Sequence, residues 1–144
     1  MANETMRKFG FPDSLVRDYG HWCVLIRPAQ ATLGALVLVC KDEARAFSEI
    51  PQPAFTELAQ VTRDVETSLT RFRPFDKINY LMLMMVDPDV HFHVLPRYST
   101  LQHFDGVEFV DSGWPGPPDL ATSVKLDGPA LSRLRDAIGE CWSG

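Results

Sequence analysis

Val86-Asp87-Pro88-Asp89-Val90-His91-Phe92-His93-Val94-Leu95-Pro96-Arg97-Tyr98 is the stretch on which the reading of this chain turns. Its middle alternates strictly, with Asp89, His91 and His93 polar and Val90, Phe92 and Val94 apolar. In an extended strand successive side chains point to opposite faces, so one carboxylate and two imidazoles share one side and three apolar residues share the other. Pro88 and Pro96 are expected to bracket the strand, because proline cannot donate to a ladder. Three readings compete for the polar face. It could be a solvated face of hydrogen-bonded histidines. It could be a metal site, with two imidazole nitrogens and the oxygen of Asp89. It could carry nucleophilic or acid–base chemistry on a phosphate through a neutral imidazole.

On either side of this stretch the chain divides into plain elements. Residues 77–86 are almost wholly apolar (Ile78, Leu81, Met82, Leu83, Met84, Met85) and read as a central strand buried on both faces. Before them, Phe55, Leu58, Ala59, Thr62, Val65, Leu69 and Phe72 recur every three or four residues. That spacing predicts an amphipathic helix over 53–72, opened by Pro53 and stopped before Pro74. Residues 22–27 and 33–40 are two β-rich runs joined by a short polar link, which reads as an antiparallel hairpin. Residues 14–19 are expected to form a short capped helix, and 41–49 a charged loop with a helical turn. After Tyr98, residues 104–110 read as a further strand interrupted at Gly106. The run Trp114-Pro115-Gly116-Pro117-Pro118 excludes regular structure. This segment is expected to wrap back over the sheet, with Trp114 either covering a pocket or pinning a loop. A last helix begins at Asp127-Gly128-Pro129.

Composition narrows the function classes. A chain of 144 residues with 45% hydrophobic and 23% charged residues suits one domain with a proper core. Its core spans about 14–110, and a C-terminal extension covers about 111–144. A net charge of −5 argues against a nucleic-acid binder, which carries a basic face. Cys23, Cys40 and Cys141 form no CxxC pair, so a reducing cytoplasm fits better than a disulfide framework. No secretory signal and no stretch of membrane-spanning length is visible.

At Asp89-Val90-His91-Phe92-His93-Val94-Leu95-Pro96-Arg97 the chain resembles the histidine triad superfamily, whose motif is His-φ-His-φ-His-φ-φ, with φ apolar, commonly followed by Pro-Arg. The second and third histidines and the tail match; Asp89 stands where the first histidine would be. The run Lys77-Ile78-Asn79-Tyr80 also looks like the lead-in of bacterial members. The Gly-His pair that opens the second hairpin strand reads Gly34-Ala35 here, and Met84 and Met85 replace polar residues common in the family.

The resemblance implies an α+β fold: a mainly antiparallel sheet of about five strands, one long helix packed on a face, and a C-terminal helix. It implies a homodimer that acts on a small nucleotide without metal or other cofactor. It also implies a mechanism. His91 attacks the α-phosphorus of a nucleoside phosphoanhydride or phosphoramidate and forms a nucleotidyl-histidine, which water or another acceptor releases. A backbone carbonyl holds its other nitrogen, and His93 donates to a phosphate oxygen. Asp89 joins them as an acid when protonated; when ionised it orients an imidazole or accepts a ribose hydroxyl. Arg27, Asn79 and Arg97 are the expected nucleotide contacts, Arg27 standing at a ribose-contacting position of the family or, alternatively, as a strand-end cation in solvent. A nucleotide-binding module without efficient chemistry is the alternative function.

Overall fold

The structure is a computed structural model that describes residues 2–142. Apolar runs of five residues make its central strands, β2 (Trp22–Ile26) and β4 (Leu36–Cys40), and every residue in both is buried. They pair antiparallel, Trp22 opposite Cys40 and Ile26 opposite Leu36. The motif strand β6 (His91–Arg97) lies against β4, with His91 opposite Val39 and His93 opposite Val37. Outside these lie β1 (Leu15–Asp18) and β5 (Lys77–Leu81), giving one antiparallel sheet in the order β1-β2-β4-β6-β5. Short two-stranded pieces complete the strands: β3 (Ala29–Gln30) with β9 (Val124–Lys125), and the hairpin of β7 (Gln102–Phe104) and β8 (Val107–Phe109). Among the described residues three α-helices accompany them, α1 (Glu4–Lys8), α2 (Gln52–Phe72) and α3 (Gly128–Gly139), with a 3-10 turn at Phe47–Glu49.

Each face of the sheet has its own cover. On one, Trp22, Val24, Ile26, Leu36, Leu38 and Val94 meet Ala54, Val61, Val65, Leu69 and Phe72 of α2 and Leu134 and Ile138 of α3. Trp22 donates its indole N–H to the Ala54 carbonyl at 2.8 Å, so the largest core side chain carries no unpaired polar atom. On the other face, Cys23, Leu25, Val37 and Val39 meet Met6 of α1, flanked by Phe9, Phe11 and Leu15. The two motif histidines sit on this second face, next to the residues that α1 covers.

Four expectations are corrected. Within residues 14–19, Leu15–Asp18 form strand β1 rather than a helix. Leu15 pairs opposite Leu25, and the Ile26 N–H reaches the Ser14 carbonyl at 2.8 Å, so the sheet satisfies a backbone that a one-turn helix would leave open. The run 77–86 is not a buried central strand. β5 ends at Leu81 and is the edge of the sheet; beyond it Met84 adopts φ 54°, a left-handed turn, and Met85 and Val86 stand 84% and 80% exposed. Pro96 does not stop β6, which continues to Arg97. β4 ends opposite Val94, so the side of β6 away from β5 requires no hydrogen bond from Pro96. Finally, α2 opens one residue early, at Gln52, and its buried line runs through Ala54, Val61 and Ser68, leaving Ala59 exposed.

The segment after β8 wraps back as the sequence suggests. Arg97, 3% exposed, forks onto Asp111 and also donates to Asn79 and to the Gly116 carbonyl. The Trp114 ring lies 6.0 Å from its guanidinium carbon. Among the described residues no helix is long and apolar enough to cross a membrane.

Candidate active site

The alternation read from the sequence puts His91 and His93 side by side on β6, ring centroids 5.2 Å apart and nearly perpendicular. Both are buried. They form the floor of a pocket of about 310 Å³, at the small end of ligand sites. Lys8 and Phe9, at the end of α1, make one wall. The loop 83–87 after β5 makes the other, and Arg27, just past β2, also lines it.

The two imidazoles are held differently. His91 places Nδ1 2.7 Å from the backbone carbonyl oxygen of Asp89. A carbonyl only accepts, so Nδ1 carries the proton, and in the neutral ring Nε2 keeps a free lone pair. His93 has a buried Nδ1 with no partner among the described residues. Burial first, then the positive charges of Arg27 and His91, push its pKa down from 6.5 to about 4, while Asp87 pulls the other way. It is therefore neutral at neutral pH.

Charge around the pocket is mixed. Arg27 spends Nη1 on the Ala29 carbonyl at 2.6 Å, its Nε is a buried donor without a partner, and burial lowers its pKa. Lys8 pairs with Asp87 at 2.9 Å across the two walls of the pocket. Among the described residues, Arg27 is thus a cation near the histidines with no acidic partner, suited to an anion such as a phosphate.

Of the expected site residues, the structure brings together His91, His93 and Arg27, and separates the other three. The Asp89 carboxylate accepts the Thr5 N–H at 3.1 Å, and the Asp89 N–H donates to Thr5 Oγ1 at 3.0 Å. Its side chain is therefore bound to α1; only its carbonyl reaches His91. Asn79 and Arg97 are bonded to each other at 2.8 Å and line a separate, larger cavity of about 730 Å³ under Trp114. In that cavity the Arg97 guanidinium is already engaged by Asp111, the Gly116 carbonyl and Asn79 Oδ1. The sequence reading missed Lys8, Phe9 and Asp87. Asn3, which caps α1 by accepting the Met6 N–H at 2.9 Å, was the local signal that the N-terminal residues fold.

No protein-family model matches the chain, and no curated protein does. Solved structures do. A histidine triad protein from Sinorhizobium meliloti superposes with a TM-score of 0.74 at 18% identity, over 97% of this chain and 95% of that one. A histidine triad protein from Bradyrhizobium japonicum gives 0.74 at 16% identity, over 99% and 98%. A hypothetical histidine triad nucleotide-binding protein from Sulfolobus tokodaii gives 0.64 at 16% identity, over 89% and 82%. The chain has the fold of histidine triad proteins: a five-stranded antiparallel sheet with a long helix and a C-terminal helix.

Proposed function

We propose that this chain is a nucleotide hydrolase or nucleotidyl transferase of the histidine triad type. The observation that carries the reading is the 2.7 Å contact from His91 Nδ1 to the Asp89 carbonyl, which leaves Nε2 as a lone pair at the floor of a pocket containing Arg27. A nucleophile in this role needs one bare ring nitrogen and a partner fixing the other. In the proposed reaction Nε2 attacks the α-phosphorus. The bond from phosphorus to the leaving oxygen or nitrogen breaks, and a phosphorus–nitrogen bond to His91 forms. Water or another acceptor then attacks phosphorus, breaks that bond and releases the mononucleotide, returning the lone pair to His91. His93, neutral, offers one N–H to a phosphate oxygen, and the Arg27 guanidinium balances its charge. The Sulfolobus tokodaii protein of the same fold is described as nucleotide-binding, which agrees with a nucleotide as ligand.

A second reading, a nucleotide-binding module without efficient turnover, is favoured by one feature. The wall formed by Leu83, Met84, Met85 and Val86 offers no side-chain proton donor to a leaving group. Mononucleotide release from adenosine phosphoramidate, diadenosine polyphosphates, nucleotide sugars and adenylyl sulfate separates the two. Turnover of any of them supports the enzyme; tight binding without release supports the module.

The same proposal includes a homodimer in the cytoplasm, taking no cofactor. Among the described residues the outer edge of β5 has no strand partner. Beside it Leu38, Leu58, Tyr80 and Phe92 line an apolar hollow at the flank of α2. An unpaired edge flanked by apolar surface is a ready contact for a second copy. The cysteines are free, and Cys23 and Cys40 are buried, which fits a reducing compartment.

A further inference from the structure

Helix α1 belongs to no expected feature of the site, yet it touches the site at three points. Thr5 is fully buried and exchanges two hydrogen bonds with Asp89, its N–H to the carboxylate at 3.1 Å and its Oγ1 from the Asp89 N–H at 3.0 Å. Phe9 sets its ring 5.9 Å, centroid to centroid, from both His91 and His93. Lys8 bridges to Asp87 on the opposite wall at 2.9 Å. Thr5 and Phe9 are four residues apart, one turn along the same side of α1, a rise of about 6 Å. Asp89 sits at a bend just ahead of His91, the first residue of β6. Docking Thr5 on Asp89 therefore brings Phe9 beside the imidazoles.

We infer that Asp89 and Phe9 are positioning residues of the histidine site: Asp89 docks α1 through its carboxylate and amide, orients His91 through its carbonyl, and so makes Phe9 the wall that keeps both imidazoles away from water. A single residue thereby couples the fold of the N-terminal segment to the tautomer of His91. The carboxylate at the first motif position serves the chain itself rather than a substrate. This rests on the proposed role of His91, but its test does not require turnover.

The test is the titration of His93 by NMR, with His91, Arg27, Lys8 and Asp87 as the charged or titratable groups around it. In the wild type, burial is expected to hold it near 4. Phe9→Ala opens the wall directly, and Asp89→Ala releases α1 from a distance; both are expected to raise the value by at least one unit toward 6.5. Asp89→Asn, which keeps a carbonyl acceptor for Thr5 and the backbone amide, is expected to hold it near the wild-type value. Should Asp89→Ala lose its native spectrum, Thr5→Val replaces it, removing only the hydroxyl acceptor. Movement in both the Phe9 and the docking variant supports the inference. Movement in the Phe9 variant alone, or in neither, overturns it. If the wild type releases no mononucleotide while both variants move His93, the wall stands and the hydrolase reading falls. Rapid turnover with an unmoved His93 gives the reverse.

Discussion

Arg97 grips Asp111 with two parallel hydrogen bonds, Nε to Oδ2 at 2.6 Å and Nη2 to Oδ1 at 2.9 Å, with both side chains almost wholly excluded from solvent. The pair ties the end of β6 to the segment that carries Trp114. Removing one partner strands the other charge in the interior, so Arg97→Ala is expected to cost about 3–5 kcal/mol of stability. Urea denaturation measures it. The double variant Arg97→Met with Asp111→Leu should recover much of the loss. Nucleotide affinity of folded Arg97→Lys should stay near wild type; a large loss of affinity at unchanged stability would return Arg97 to direct contact with nucleotide.

His91→Asn is expected to abolish mononucleotide release while leaving nucleotide affinity and thermal stability close to wild type. Asparagine can hydrogen-bond a phosphate but cannot form the phosphorus–nitrogen intermediate. His93→Asn should slow release less, by about 10²–10³-fold, the usual effect of losing one stabilising donor. Turnover retained in His91→Asn would move the nucleophile elsewhere.

Stability should rise with pH between about 4 and 6.5 because of His93. Its folded pKa, about 4, lies below the unfolded value of 6.5. The unfolded chain therefore binds more protons across that window, and the contribution, complete above 6.5, is lost as pH falls through it. A depression of this size corresponds to roughly 3 kcal/mol at most. Denaturation midpoints at pH 7 and pH 4.5 measure the effect, and His93→Gln should flatten the difference.

Light scattering should give twice the 16.2 kDa mass of the chain. Leu58→Asp, which places a charge in the hollow beside β5, should shift the population toward monomer. A wild-type mass of one chain across a wide concentration range would remove the dimer.

Where the pattern is local the fold was legible. The five-residue apolar runs of β2 and β4, the three- and four-residue spacing of α2, and the alternation that sets His91 beside His93 each follow from one stretch of chain. The failures came where a distant partner decides. Residues 15–18 become a strand only because β2 offers a ladder. The apolar content of 82–86 suggested burial, yet the left-handed turn at Met84 carries these side chains to the pocket rim. Asp89 was read with the histidines two and four residues on. The hydrogen bonds that engage its side chain and amide come from a residue 84 positions away, which no short-range pattern reveals. That Arg97 and Asn79 lie apart from the histidines was hidden for the same reason, since Asp111 and Gly116 lie beyond the motif that drew attention to them.

The separation of Thr5 from Asp89 also sets an order of events during synthesis. Helix α1 is five residues long, too short to persist alone in water. It leaves the ribosome 84 residues ahead of the carboxylate that anchors it. At 5–20 residues per second that is a wait of roughly 4–17 s. Throughout it, Thr5 and Phe9 have neither Asp89 nor the histidine strand to rest against. The histidine pocket therefore closes late, when a segment made 84 residues earlier folds back onto the strand that has just emerged.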